Sequence, residues 1–123
     1  MTATNLLAAR DAEGMPVLPE DVVKYSTVPK GKSFTATTIP SGLLKDHTTK
    51  AGTWGIISVS QGNLKYVIEN DTVFTLTPQY HGIIEPTVLH HVAPLSDDVE
   101  FVVEFHRLPG TGPVEEKREG LKE

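Results

Sequence analysis

Two histidines, His47 and His90, are the residues here whose type and placement could do chemistry, because each stands beside a strand signal in a separate half of the chain. Imidazole is the commonest neutral metal ligand and the commonest general base, so two of them brought from separate strands to one cavity would define a site. The chain has no cysteine, which excludes disulfides, thiolate zinc sites and cysteine nucleophiles together. Any metal must therefore be held by nitrogen and oxygen. Two imidazoles with one carboxylate suit zinc or iron(II) and leave room for water or a ligand. Glu104 is the first candidate for that carboxylate and Glu85 the second. Such a carboxylate could instead accept a hydrogen bond from a ligating histidine and orient its ring.

The elements that would carry these side chains are short strands. Regular alternation runs through 54–60, 63–69, 72–77 and 99–106, with briefer apolar runs at 83–85 and 88–92 and edge-type segments around Val22 and from Phe34 to Ile39. Gln61-Gly62 reads as a hairpin turn joining the first two, and Asn70-Asp71 as the next turn. Helical periodicity is almost absent, so the expectation is all-β: two packed antiparallel sheets forming a sandwich or small barrel. Residues 1–17, interrupted by Pro16 and followed by Pro19, read as a flexible arm. Residues 18–108 form the domain, and 109–123, rich in Gly, Pro and charge, read as a mobile tail.

Within those strands each candidate has a face. His90 alternates with Val88 and Val92 and so turns inward, whereas His91 turns the other way with Leu89. Glu104 belongs by pattern to the polar face with Glu100 and His106. It lines a cavity only if Phe101 and Phe105 turn outward toward a partner. Trp54 and Tyr66 read as core or cavity wall, since large aromatics in a small barrel pack first. His81 lies in a turn and His106 ends a strand. Lys45 and Lys50 sit in a polar connection, where lysines are ordinarily solvated but could attract an oxyanion.

Composition removes several function classes. A chain of 123 residues is one domain. With 16 acidic against 11 basic side chains and a net charge of −5, it lacks the positive field that a nucleic-acid backbone demands. No apolar run approaches the ~20 residues of a membrane span, and the first residues lack a secretory pattern. The expected location is the cytoplasm. Val102, apolar on the face opposite Phe101 and Val103 in the last strand, suggests a homodimer that covers that face.

These motifs carry a family resemblance. Gly62 closing the first half, and Gly82 through Glu85 and Pro86 to His90 in the second, are similar to the two halves of a cupin, a small antiparallel jelly-roll barrel. More narrowly, SGLL at 41–44, HTTKAGTWG at 47–55, IEP at 84–86 and VEF at 103–105 resemble the small YeaR-like family associated with tellurite resistance. The likeness spans residues 18–107. It implies a cupin-like jelly-roll domain, found alone or fused ahead of a tellurite-resistance methyltransferase, with no established reaction of its own. A metal-binding cupin usually offers two histidines one residue apart and a glutamate from its first half. Here His47 stands alone, Thr49 holds the place of the second histidine, and Gly55 falls near that of the glutamate. In the second half Glu85 falls where a proline is usual. The expectation is a small binding or stress-response protein whose cavity takes a divalent metal, zinc or iron, or a small ligand such as an oxyanion. The alternative is a metal-dependent dioxygenase or isomerase using His47, His90 and a carboxylate. A third reading is a partner domain docking through exposed Phe101 or Phe105.

Overall fold

The computed structural model describes residues 10–69 and 71–111. In chain order the strands are β1 (Val23–Val28), β2 (Phe34–Thr35), β3 (Trp54–Gln61), β4 (Leu64–Ile68), β5 (Thr72–Leu76), β6 (Gly82–Ile84), β7 (His90–Pro94) and β8 (Glu100–Arg107). A 3-10 turn at Ser41–Leu44 precedes β3. No α-helix occurs among the described residues, and no helix is long and apolar enough to cross a membrane.

The strands form two antiparallel sheets, as the cupin-like expectation required. One has the order β1-β8-β3-β6, with β2 continuing along β8; the other has the order β5-β4-β7. Alternation explains which side of each sheet is dry. Gly55, Ile57 and Val59 of β3, Phe101, Val103 and Phe105 of β8, Leu64, Tyr66 and Ile68 of β4, and Phe74 and Leu76 of β5 are all buried. The core therefore lies between the sheets, and each large apolar side chain there contributes about 1.5–3 kcal/mol. Phe101 is 1% and Phe105 5% exposed, so neither is available for docking.

One expectation about connectivity is corrected. Gln61-Gly62 does not close a hairpin: β3 pairs with β8 and β6, whereas β4 pairs with β5 and β7. The chain changes sheets at Gly62, which has φ +74° and packs against Ser96, Asp98 and the Val99 backbone. Period-2 alternation identifies a buried face but not the partner strand. Ahead of β1 the described chain meets the core at one point. A turn at Asp11, whose carboxylate accepts the Glu13 and Met15 amides, delivers Met15 into the core at 2% exposure. Met15 and Pro16 are thus buried while Arg10 to Glu13 and Val17 stay exposed; residues 1–9, Asn70 and the tail from residue 112 lie outside the described residues.

One hydrogen bond ties the sheets together. The Tyr66 hydroxyl on β4 donates to the Ile83 carbonyl on β6 at 2.7 Å. Burial, reinforced by the negative charge of Glu85 and opposed by Arg10, pushes the phenol pKa upward, so the hydroxyl keeps its proton. Tyr66→Phe should cost about 1–2 kcal/mol, the loss of a buried hydrogen bond whose acceptor is left unpaired. Urea denaturation should show a lower midpoint with unchanged slope; an unchanged midpoint would mean the bond contributes nothing.

Candidate functional site

His47 and His90 are brought together. Their backbones form an isolated antiparallel bridge, each N–H donating to the other's carbonyl at 3.0 Å, so the His47 segment extends the sheet past β7. Directly opposed residues in such a pair project to the same face. The imidazole centroids accordingly lie 4.2 Å apart with 55° between the planes. As the alternation implied, His90 faces inward and is 2% exposed, with the Tyr66 ring centroid 5.9 Å away and the two planes at 77°. His47 is half-buried.

Hydrogen bonding sets the tautomers. His47 Nδ1 lies 2.9 Å from the Lys45 carbonyl, and His90 Nδ1 lies 3.0 Å from the Val88 carbonyl. A carbonyl only accepts, so in each neutral ring Nδ1 carries the hydrogen and Nε2 the lone pair. Burial lowers the His90 pKa from 6.5 to about 4, against the opposing effect of its bond to Val88, and the ring is neutral at pH 7. Its Nε2 is buried and has no hydrogen-bond partner. An acceptor left so costs about 1–3 kcal/mol unless something fills its lone pair.

The segment bearing His47 is fastened from three sides. On the outer face, the Asp46 carboxylate lies 2.8 Å from His91 Nδ1. At its far end, Arg107 of β8 donates to Thr53 Oγ1 and the Ala51 carbonyl, while the buried Thr49 hydroxyl donates to the Thr53 carbonyl. From the second half, the Thr87 amide donates to the Thr49 carbonyl at 3.1 Å. Thr87 has φ +64°, an uncommon conformation for a β-branched residue that costs about 1–3 kcal/mol and persists where its surroundings hold it. Here it turns the chain so that 88–90 runs beside 47–49.

Other candidates are placed elsewhere. Glu104 shares the outer face of β8 with its half-exposed neighbours, and its carboxylate lies 3.8 Å from Lys24 Nζ. Inward packing of Phe101, Val103 and Phe105 turns it away from the pair. Glu85, 11% exposed, lies 2.9 Å from Arg10 Nη1. Trp54 is half-buried on the outer face of β3, opposite His106, because Gly55, Ile57 and Val59 take the inner face; only Tyr66 of the two expected wall aromatics touches His90. Among the described residues, no third His, Asp or Glu joins the pair to form a metal-holding group. What Lys45 supplies is its carbonyl. A separate open depression of about 410 Å³ runs along β1 past Lys24 and Lys30, on the other sheet.

This two-sheet frame and its motifs find counterparts among known proteins. Residues 30–103 match the family model of the TehB-like domain. The chain belongs to the TehB-like domain family. In Haemophilus influenzae, the probable S-adenosyl-L-methionine-dependent methyltransferase TehB is 33% identical over 95 residues, 72% of this chain but 32% of that protein. The crystal structure of TehB from the same organism aligns at TM-score 0.66 and 31% identity, over 74% of this chain and 33% of that one. This TehB-like domain thus spans about a third of the length of the curated relatives it matches. A protein of known structure from E. coli K12 shares the fold at TM-score 0.69 and 23% identity, covering 77% of this chain and 99% of its own.

The parts of the TehB-like domain that sequence reasoning missed are positioning residues. Arg107, Thr49, Thr53 and Thr87 carry no periodic or motif signal for a joint role, since their link depends on β8 lying beside β3. Asp46 opposite His91 follows once the 47–90 register is known, and the 47–90 register is itself a tertiary fact.

Proposed function

We propose that this chain is a small ligand-binding module of the TehB-like family, in which His47 and His90 together hold a divalent metal, zinc or iron, through their Nε2 atoms. The observation that carries this reading is the buried, unpartnered Nε2 of His90 beside a second imidazole of the same tautomer. A neutral imidazole lone pair suits a Lewis acid or a hydrogen-bond donor and repels a bare anion. Two nitrogens are fewer than the three protein ligands usual for zinc, and His90 Nε2 is buried, so holding a metal would require the rings to part and the remaining donors to come from outside the pair. The metal would supply Lewis acidity there, while the chain's residues fix the rings through the Lys45 and Val88 carbonyls.

The dioxygenase or isomerase alternative draws no support from Glu104, which lies against Lys24. Because the domain spans a third of relatives named as methyltransferases, we take it as an accessory binding unit in a cytoplasmic, tellurite-type stress response. We group it with the YeaR-like chains on the motifs at 41–44, 47–55, 84–86 and 103–105. Metal analysis of protein purified without chelator or affinity-column metal, followed by zinc titration, tests the site. Wild type and His81→Ala should bind about one equivalent with similar affinity. His47→Ala and His90→Ala should each weaken binding at least about tenfold, as expected when a metal ligand is removed. Equal metal content in wild type and the double variant, with circular dichroism unchanged, would show the pair to be structural.

A further inference from the structure

We propose that residues 10–16 form a displaceable strap over a binding site for a small organic cation, an amine or guanidinium that also carries an oxygen acceptor, with Glu85 as the carboxylate that holds its charge. The histidine pair plays no part in it. Three polar groups along the strap are poorly served. The Glu85 side chain is 11% exposed, and its Oε1 is buried without a hydrogen bond although Arg10 Nη1 lies 2.9 Å away. Charge is balanced there, but the oxygen lacks an aligned donor. The Ile83 amide, on the outer edge of β6, meets the Met15 sulfur at 3.4 Å, and a thioether is a weak acceptor. The Tyr80 hydroxyl is buried with no partner. Burial raises its pKa and the charges of Asp11 and Glu13 raise it further, so the ring lies beside the strap. Buried polar groups are satisfied as a rule, and three defects along one short segment mark it as a stand-in for a better-matched occupant.

The strap itself shows what chemistry the site asks for. Arg10 brings a guanidinium to Glu85, and Met15 brings an acceptor to the Ile83 amide. Aromatic rings flank these groups: the Tyr80 centroid lies 6.3 Å from that of Phe74, which lies 6.1 Å from that of Tyr66. Ring faces attract a cation rather than an anion, as do Asp11, Glu13 and the chain's net charge of −5. Met15 and Pro16 are both buried, so lifting the strap vacates the volume of two side chains. Little holds the strap down. Arg10 is 44% exposed, where an ion pair adds little, and the Asp11 carboxylate spends its bonds on amides within the strap. A ligand that gives Glu85 an aligned cationic donor and the Ile83 amide an oxygen competes on better terms, because charge-assisted hydrogen bonds are the stronger kind.

Calorimetric titration with L-arginine, L-lysine and the uncharged isostere L-citrulline tests the site. Arg10→Ala, which removes the resident cation, should bind L-arginine or L-lysine about tenfold or more tightly than wild type, since a closed state lowers apparent affinity by the fraction of molecules that are open. The tighter of the two assigns a guanidinium or an ammonium. L-Citrulline should not bind, and Glu85→Gln in the same background, with circular dichroism unchanged, should abolish binding. Wild type supplies a second readout that needs no substitution: oxidation of Met15 by hydrogen peroxide, followed by peptide mapping, because burial protects the sulfur. An excess of the bound cation should speed that oxidation several-fold relative to L-citrulline. Failure of Arg10→Ala to bind either cation, equal affinity in wild type and Arg10→Ala, binding that survives Glu85→Gln, or an unchanged rate at Met15 would each overturn the inference.

Discussion

Acidifying the metal-free protein from pH 7 to pH 4 should cost the folded state about 3 kcal/mol through His90 alone. In the unfolded chain this histidine titrates near 6.5, and in the folded protein burial holds it near 4. Above 6.5 the ring is neutral in both states and stability does not respond to it. Between 6.5 and 4 the unfolded state takes the proton and the native state does not, so stability falls by about 1.4 kcal/mol per pH unit. Below 4 both states are protonated and the loss is complete. Against a total stability of about 5–15 kcal/mol this is a large fraction. Urea melts of chelator-treated protein across this range, compared with His90→Gln, separate the effect from carboxylates that titrate in both proteins. The wild-type curve should fall more steeply, by the stated amount. Parallel curves would assign the acid sensitivity to other groups.

Gly62→Ala should destabilise the protein by about 2–4 kcal/mol, from two additive causes. At φ +74° a side chain is strained by about 1 kcal/mol whatever the space around it. A Cβ there would also lie 2.5 Å from Ser96 Oγ, 2.6 Å from Asp98 Oδ1 and 2.8 Å from the Val99 Cα. Ser96 Oγ accepts the Asn63 amide at 3.0 Å, and Val99 is fully buried. Neither yields without breaking a bond or moving the core, which adds about 1–3 kcal/mol of overpacking. Gly14, at φ +89° with nothing within 4 Å of a Cβ, isolates the conformational cause, so Gly14→Ala should cost only about 1 kcal/mol. Thermal melts should place Gly62→Ala lower by about 5 °C or more than Gly14→Ala. Equal melting temperatures would mean the Ser96–Val99 loop does not press on this corner.

What could be read from the sequence was whatever depends on a residue's own strand. The buried faces of β4 and β8, the inward turn of His90 and the outward turn of His91 all follow from period 2 and all hold, whereas Val73, grouped in the sequence with Phe74 and Leu76, is exposed on β5. What depends on a neighbour in space was not legible. Alternation in β3 and β4 is equally compatible with a hairpin and with a sheet change, and only the packing at Gly62 decides between them. Glu104 could be judged only by knowing that Phe101 and Phe105 meet the other sheet. Met15, a single apolar residue among turn formers, has no period to announce it. Arg107 reaches Thr53 across 54 residues of chain, and no local pattern encodes such a reach.

The last described strand is also the one on which the larger sheet depends. β8 lies against β1, β2 and β3, so three earlier strands wait for a partner that is translated after all of them. Synthesis proceeds from the N-terminus at about 5–20 residues per second, leaving the inner edges of those strands unpaired until Arg107 has emerged. Such non-local pairing places folding in the slower, millisecond-to-second class. The smaller sheet, built from β4, β5 and β7, joins strands that are nearer neighbours in the chain, so its pairing does not wait on β8.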